Sequence, residues 1–329
     1  MRRLMTTAAA ATAAALTLTA CGTTEPAADS DDAKKKAGEA VTLTDASGQK
    51  VELDGPAKKV VGTEWHEVEL LISLGVDPVG VADVKGYKTW DQAVPLKNEP
   101  EDIGTRGEPS MDTIAALKPD LIVASTDLPP AAVKQLRKVA PVVEVQSANA
   151  SDPLGQMNKN LDLLAQATGT TEQAEKLKKD FDAKVTEGKQ ALADAGLGGA
   201  KYAFADGYDI SNQVSIRPFT SGSLIGAVNE QLGLENDWTV KGDKDYGLGT
   251  TDVEGLTKLS DDVKFAYIGN DGDKSSTPFT DALAKDKVWT SLPFVKKGNV
   301  HRLPDGIWMF GGHESMGKYI DSVVAELTK

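Results

Sequence analysis

The longest helical pattern in this chain is TEQAEKLKKDFDAKVTEGKQALADAG, residues 171–196. Its apolar residues recur at helical spacing and form a narrow stripe on a charged surface. The stripe consists of Ala174, Leu177, Phe181, Val185 and Leu192. Thr171 and Glu172 are typical of a helix start, and Gly196 of a helix end. A helix of this length spans about 39 Å. That length favours a strut between two lobes over a surface helix inside one lobe.

Short apolar runs alternate with helical patterns on both sides of this stretch, which predicts parallel β–α–β units. The strands expected before it lie at residues 60–61, 78–82, 121–124 and 142–145, and those after it at residues 201–205, 264–269 and 300–303. The predicted fold class is therefore α/β, with two Rossmann-like lobes of mainly parallel sheets. The boundaries are residues 41–170 for the N-terminal lobe, 171–196 for the interlobe helix and 197–329 for the C-terminal lobe.

An internal repeat indicates that the two lobes are related. Residues 111–124 read MDTIAALKPDLIVA, and residues 253–266 read VEGLTKLSDDVKFA. Each copy has an acidic residue at the start of a helix, an apolar helix face, a turn and a buried strand. The acidic residues are Asp112 and Glu254. Because the two copies flank the long helix, the pattern favours duplication over chance.

The N-terminus has the pattern of a secretory signal. Arg2 and Arg3 precede an apolar stretch that ends in Leu-Thr-Ala before Cys21, the single cysteine of the chain. This ending resembles the bacterial lipobox, which implies a signal peptide over residues 1–20 and lipid attachment to Cys21. An ordinary signal peptide followed by a free cysteine is the alternative. Residues 21–40 predict a flexible tether, so we expect an extracytoplasmic protein held to the cell membrane by lipid alone.

The composition excludes several classes of protein. The formal charge is -13 without a basic stripe, which excludes nucleic acid as a partner. One cysteine excludes an internal disulfide. Three histidines, and the lack of a nucleophile elbow, a P-loop or a metalloprotease motif, argue against an enzyme. We expect no cofactor.

Four further blocks carry a resemblance to a known family. They are IGTRGEPS at residues 103–110, GAVNEQLGLEN at 226–236, GNVHRL at 298–303 and WMFGG at 308–312. In this order they are similar to the substrate-binding proteins of bacterial siderophore and cobalamin importers, over about residues 41–329. The resemblance implies two lobes joined by a rigid helix, with a ferric siderophore held in the cleft. It also implies a monomer that delivers its ligand to an ABC permease with an ATPase, with little hinge closure.

Two arginines are the candidate donors to the chelate. Arg106 follows Gly104 on a predicted loop, at the position where the family places an arginine that points at the ligand. A guanidinium can donate to two ligand oxygens and stays charged. Arg217 is the candidate from the C-terminal lobe, with Phe219 as its aromatic neighbour.

Aromatic residues are the candidate walls of the cleft. Trp65 follows the first strand, and loops at the carboxyl ends of parallel strands form ligand crevices. Tyr87 and Trp90 follow the second strand on a predicted loop, where an exposed aromatic needs a partner. Trp308 and Phe310 precede Gly-Gly, where the family places a tryptophan over the ligand. Trp238 and Trp289 are expected to pack in the protein interior.

Acidic residues at the repeat carry a second hypothesis. In the family, one acidic residue on each lobe docks onto arginines of the permease. The matching residues are Asp112 and Glu254, and Glu108 is an alternative on the N-terminal lobe. Favourable interaction with a helix dipole is the simpler explanation for both.

The ligand class stays open among four possibilities. Two arginines with several aromatics favour a ferric hydroxamate, because a triply anionic catecholate would suit a more basic cleft. Haem would need an axial ligand such as Tyr87 or His66. Zinc or manganese would need a cluster that includes His66, His301 or His313. Cobalamin is possible on the fold alone. No metal is expected to bind the protein directly, since the chelator carries the iron.

Overall fold

The computed structural model describes residues 39–211 and 213–329. The predicted signal peptide, the predicted lipidation at Cys21 and most of the predicted tether lie outside the described residues. Among those described, no helix is both long enough and apolar enough to cross a bilayer.

The N-terminal lobe begins with a β-hairpin. Strands β1 (Val41–Thr44) and β2 (Lys50–Leu53) pair antiparallel. A parallel sheet follows with the order β5-β4-β3-β6-β7. Its strands are β3 (Val60–Gly62), β4 (Gly80–Val81), β5 (Glu101–Asp102), β6 (Leu121–Ser125) and β7 (Val142–Val145). The helices of this lobe are α1 (Trp65–Ser73), α2 (Val84–Trp90), α3 (Met111–Leu117), α4 (Pro130–Leu136) and α5 (Pro153–Thr168).

The C-terminal lobe has a mixed sheet. Strands β10, β8, β11 and β12 are parallel in that order, and β9 pairs antiparallel with β8. The strands are β8 (Lys201–Ile210), β9 (Gln213–Pro218), β10 (Glu235–Asn236), β11 (Lys264–Tyr267) and β12 (Val300–Arg302). The helices are α7 (Leu224–Gln231), α8 (Lys287–Ser291), α9 (Pro293–Lys296) and α10 (His313–Leu327). The predicted α/β class with mainly parallel sheets is confirmed.

The internal repeat occupies equivalent places in the two sheets. Its strand is β6 in one lobe, between β3 and β7, and β11 in the other, between β8 and β12. The preceding segment is α3 in the first lobe and a 3-10 helix, Glu254–Lys258, in the second. Asp112 and Glu254 lie in the first turns of these helices and are exposed.

Helix α6 (Thr171–Asp194) is two residues shorter than the predicted strut and is more than a bare connection. Ala174 and Leu177 pack into the core of the first lobe, and Phe181 and Leu192 into that of the second. Gly188 lets α10 approach closely, because a Cβ there would lie 2.7 Å from Ile320. A helix that packs into both cores fixes their separation better than a linker that contacts neither.

Candidate functional site

A cavity of about 370 Å³ lies between residues of the two lobes. The N-terminal lobe lines it with Glu64, His66, Arg106 and Ser147. The C-terminal lobe lines it with Tyr208, Arg217, Tyr246, Leu248, Trp308 and Phe310. The structure therefore brings together four of the eight predicted ligand-binding residues on one cavity: both arginines, Trp308 and Phe310. A cavity of this size is typical of small-molecule sites.

Arg106 is held in place on three sides. It lies in a short loop closed by a bridge between Gly104 and Pro109. Its Nη1 donates to Glu64 Oε1 at 2.8 Å, and Glu64 is also the N-cap of α1. The guanidinium carbon lies 4.0 Å from the centroid of the Trp65 ring, the separation of a cation–π contact. The arginine is therefore preorganised for a ligand.

Arg217 is fixed by a carboxylate of its own lobe. Its Nε donates to Asp206 Oδ1 at 2.9 Å, and its Nη2 donates to Asp206 Oδ2. The side chain of Asp206 is only 3% exposed. Burial raises the pKa of this carboxyl, and the charge and hydrogen bonds of Arg217 oppose that rise. A bidentate pair of this kind sets the plane of the guanidinium, so one face is available to the cavity.

The aromatic wall comes from the loop before α10. Trp308 and Phe310 lie 5.1 Å apart between ring centroids, edge to face. Phe310 also lies 5.3 Å from the guanidinium carbon of Arg217. Trp308 packs into an apolar cluster of the opposite lobe, with its ring 4.9 Å from Trp65. One loop thus supplies the cavity wall and joins the lobes.

His66 joins three elements and is neutral. Burial is the main cause that lowers its pKa to about 4. Its Nδ1 lies 3.1 Å from the carbonyl oxygen of Phe310, and its Nε2 lies 3.0 Å from Nδ2 of Asn160. A neutral ring satisfies both contacts only if Nδ1–H donates and Nε2 accepts. Both nitrogens are then engaged, so His66 offers no lone pair to a haem iron or a zinc ion.

Further contacts join the lobes around the cavity. Glu69 of α1 accepts hydrogen bonds from the backbone N–H and the hydroxyl of Ser315 in α10, at 3.0 and 2.8 Å. The Tyr246 hydroxyl donates to Asp127 across the cleft. Tyr246 lies on a turn fixed by Asp243, which accepts from its backbone N–H at 2.7 Å. These contacts, which are distributed along the interface, oppose large hinge motion.

The other four predicted ligand-binding residues do not line this cavity. Tyr87 and Trp90 lie in helix α2, so the prediction that they lie on a loop was wrong. Tyr87 is fully buried, and its hydroxyl donates to the Val94 carbonyl at 2.6 Å. Trp90 is half-buried and packs in the same apolar cluster. Trp65 is buried, and its ring makes the cation–π contact with the guanidinium of Arg106. Phe219 is also buried and lines a small cavity of about 30 Å³ that shares four lining residues with the main one: His66, Ser147, Tyr246 and Phe310.

Five lining residues escaped the sequence analysis: Glu64, Ser147, Tyr208, Tyr246 and Leu248. Glu64 directly precedes helix α1, so the rule that places ligand sites after parallel strands would have found it. Tyr208 lies in the part of β8 that extends beyond its parallel pairing with β11. Tyr246 and Leu248 lie in an irregular loop with little local signal.

The remaining histidines occupy separate sites. His313 starts α10, and its Nε2–H donates to Asn158 Oδ1 at 2.8 Å. His301 lies in β12, with its Nδ1 3.5 Å from Glu326. Across residues 39–211 and 213–329, no three histidine, cysteine, aspartate or glutamate side chains form a group able to hold a metal ion. A preformed zinc or manganese site is therefore not found in this region.

Buried histidine predicts a pH-dependent stability. Burial, the main cause, lowers the pKa of His313 to about 4, whereas an unfolded histidine titrates near 6.5. Between these values the unfolded chain binds more protons, so stability is lost as pH falls from about 6.5 towards 4. The free energy of unfolding should fall between pH 7 and pH 5 in the unsubstituted protein. We expect this fall to be about 2 kcal/mol smaller in His313→Gln. Urea unfolding at the two pH values measures this difference.

Comparing the unsubstituted protein with His313→Gln isolates the contribution of this one histidine to the pH dependence. Buried Glu67 and Asp91, whose pKa values burial raises well above normal, change stability in the opposite direction in both proteins. An identical drop in both proteins would show that His313 is not the titrating group.

Known proteins share both the sequence and the fold. The chain is 27% identical over 256 residues to the iron(3+)-hydroxamate-binding protein FhuD of Escherichia coli K12, covering 77% of this chain and 81% of that protein. It is 26% identical over 320 residues to the probable siderophore-binding lipoprotein YfiY of Bacillus subtilis 168, covering 93% and 92%. A solved structure of FhuD from Vibrio cholerae, bound to Fe3+-Desferal, superposes with a TM-score of 0.72 at 24% identity, over 82% of this chain and 98% of that one.

A similar fold also carries other ligands. FeuA of Bacillus subtilis, solved with ferri-bacillibactin, superposes with a TM-score of 0.67 at 22% identity, over 87% of this chain and 98% of that one. The fold alone therefore does not separate hydroxamate from catecholate ligands. The family model described as periplasmic binding protein matches residues 60–306, about three quarters of the sequence. The chain belongs to the periplasmic binding protein family.

Proposed function

We propose that this chain is the extracytoplasmic substrate-binding protein of an ABC importer, and that it captures a ferric siderophore of hydroxamate type. The observation that carries the proposal is the interlobe cavity, where two fixed guanidinium groups face the same space as Trp308 and Phe310. Guanidinium N–H groups suit the iron-ligating oxygens of a chelate, and aromatic faces suit its apolar spacers. The name of the FhuD relative of Escherichia coli agrees with this ligand class, whereas FeuA carries a catecholate siderophore on a similar fold.

A binding role, not catalysis, accounts for these residues. Both arginines are paired with carboxylates, and the one histidine on the cavity is neutral with both nitrogens engaged. None of these groups is arranged as a nucleophile beside a general base. Retention of one chelate needs no such arrangement.

A titration with metal complexes tests the proposal. The mature domain, residues 41–329, is titrated with a ferric trihydroxamate, a ferric catecholate, haem, cobalamin and zinc, and tryptophan fluorescence is recorded. We expect saturable quenching at submicromolar concentration by the trihydroxamate. Tight binding of haem, cobalamin or zinc with no response to any siderophore would overturn the proposal.

Haem is disfavoured by the geometry of its candidate ligands. The hydroxyl of Tyr87 is buried and donates to a backbone carbonyl, and His66 has no lone pair to give. A haem iron would need one of these groups, or another residue, to change its partners.

The mechanism proposed for transport is capture between nearly rigid lobes. Trp308 and Ser315 of the second lobe are held by the first, and α6 packs into both cores. Domain closure therefore has to break a distributed interface. Small-angle scattering should show little change on ligand addition, and a large decrease in the radius of gyration would contradict the mechanism.

Delivery to the membrane is proposed to use Asp112 and Glu254, with Cys21 as the lipid anchor. The two acids are exposed in equivalent first turns of the two lobes, where one permease could contact both. We expect Asp112→Lys combined with Glu254→Lys to abolish uptake into cells while the affinity for the chelate stays unchanged. Uptake assays and titration of the purified variant measure the two effects.

A control separates docking from general charge. Glu108→Lys makes the same acid-to-lysine change at one exposed residue of the Arg106 loop, which is also the alternative docking residue of the N-terminal lobe. Full uptake with this variant supports specific docking by the repeat acids. Loss of chelate binding in the double variant would contradict the docking role.

A further inference from the structure

We propose that Glu64 forms a cation subsite inside the cavity, which binds an ammonium end group of the ferric trihydroxamate. This inference rests on the proposed function and deepens it. It states which ferric hydroxamates the cavity prefers, namely those with a cationic end group, and it assigns that preference to one residue.

The charges around the cavity cancel. Among the described residues that line it, the side chains charged at neutral pH are Arg106, Arg217 and Glu64, since His66 is neutral. Arg217 is neutralised by Asp206, and Arg106 by Glu64 itself. No surplus positive charge is left to compensate a polyanionic complex in this partly desolvated space. A ferric trihydroxamate core suits the site because three singly charged hydroxamates neutralise the ferric ion.

The two carboxylates differ in their access to a ligand. The side chain of Asp206 is 3% exposed, and both of its oxygens receive hydrogen bonds from Arg217. The side chain of Glu64 is 22% exposed and lines the cavity. Asp206 is therefore a positioning residue for its arginine, whereas Glu64 presents negative charge directly to the ligand.

The position of Glu64 penalises ligand anions. An anionic end group that approached the Arg106 guanidinium would come beside the carboxylate that lies 2.8 Å from its Nη1. A cationic end group would gain a charge-assisted hydrogen bond from the same carboxylate. The neutral chelate core can still accept hydrogen bonds from the remaining guanidinium N–H groups, of which arginine has five in all. The site should therefore sort complexes by the charge of the part outside the chelate.

Three forms of one linear chelator provide a matched test. The first is a ferric trihydroxamate with a terminal ammonium, the second its N-acetylated neutral form and the third its N-succinylated anionic form. The chelate is identical in all three, so a difference in dissociation constant reports the end group. We expect affinity to fall about tenfold from the ammonium to the acetylated form, and about tenfold again for the succinylated form. The preference should weaken at high salt.

Variants assign the preference to one carboxylate. Glu64→Gln leaves Arg106 without its carboxylate, so the preference for the ammonium form should disappear or reverse in favour of the succinylated form, and Glu64→Asp should restore the order. Glu108→Gln, an exposed substitution near Arg106, should leave the order unchanged. Glu64 also caps α1, so its loss can lower stability. The ratio among ligands within one variant does not depend on that loss.

The possible outcomes distinguish failure of the cation subsite from failure of the proposed function. If the unsubstituted protein binds none of the three forms, the proposed function fails. If it binds all three equally, or prefers the succinylated form, the function stands and the cation subsite is refuted. If the order persists in Glu64→Gln, another group sets the preference and the assignment to Glu64 is wrong.

Discussion

Arg217→Ala is expected to lower the free energy of unfolding by about 3 kcal/mol at neutral pH, because it leaves the buried Asp206 carboxylate without its partner. The value lies at the low end for a broken buried pair, since the space vacated by arginine opens onto the cavity and admits water. The same variant is expected to lose at least tenfold in affinity for the ferric chelate. Urea unfolding and calorimetric titration measure the two losses independently.

A second substitution distinguishes these losses. Asp206→Asn with Arg217→Ala removes the buried charge, because an amide needs no counter-ion, and it should recover most of the stability. It should not recover the affinity, since the guanidinium is still missing. Equal instability of the single and double variants would contradict the account of Asp206. Recovered affinity in the double variant would remove Arg217 from the site.

The pH dependence gives a further check on Asp206. Without Arg217, burial is the largest influence on the pKa of this carboxyl and raises it, opposed only by a backbone hydrogen bond. The folded variant then binds a proton more readily than the unfolded chain, so its stability improves as pH falls through the raised pKa. The gap between Arg217→Ala and the unsubstituted protein should therefore narrow in acid.

Much of the fold was predictable because hydrophobic periodicity reports burial directly. The strand expected at residues 142–145 has the same bounds in the structure, and the helix expected in the first copy of the repeat is α3, which begins at Met111. The stripe on α6 is buried as predicted, except that Val185 is only partly buried. Each of these segments has one apolar face that must pack, and a single sequence carries that information.

Helix α5 was missed although its ends carry ordinary signals. Asp152 caps it, Pro153 occupies its first turn, and Gly169 ends it in a left-handed conformation. Its interior includes buried polar residues such as Asn160, which holds His66. These residues dilute the apolar periodicity, because their burial is compensated by tertiary hydrogen bonds that a local pattern does not encode.

The site was predictable to the level of its arginines and not of their partners. Arg106 is recognisable from the block at residues 103–110, whereas Arg217 lies in none of the four blocks. Their partners Glu64 and Asp206 are separated from them by 42 and 11 residues. Pairing over such separations is a property of the folded lobes. Tyr87 was assigned to the site although it is not part of it. It follows Gly86, which is typical of a loop, but Asp83 caps a helix here and the tyrosine is buried.

Trp308→Ala is expected to give a loss of about 3–5 kcal/mol of unfolding free energy together with loss of chelate binding. Trp308 is 8% exposed and packs into the apolar cluster of the opposite lobe, against Trp65 and near Arg106. Its removal leaves a cavity at the junction of the lobes and takes away the wall of the site. Differential scanning calorimetry gives the stability, and equilibrium dialysis with a ferric trihydroxamate gives the affinity without using tryptophan fluorescence.

Trp308→Phe is the matched control, because it keeps an aromatic ring and removes the indole N–H. That N–H is buried and has no hydrogen-bond partner within residues 39–211 and 213–329. An unpaired buried donor costs about 1–3 kcal/mol, and its removal offsets part of the packing lost with the smaller ring. We therefore expect Trp308→Phe to stay within about 1.5 kcal/mol of the unsubstituted protein and to retain most of its affinity. If phenylalanine is as damaging as alanine, the indole N–H has a partner when the protein is folded in solution, and Trp308 contributes a polar contact as well as an aromatic face.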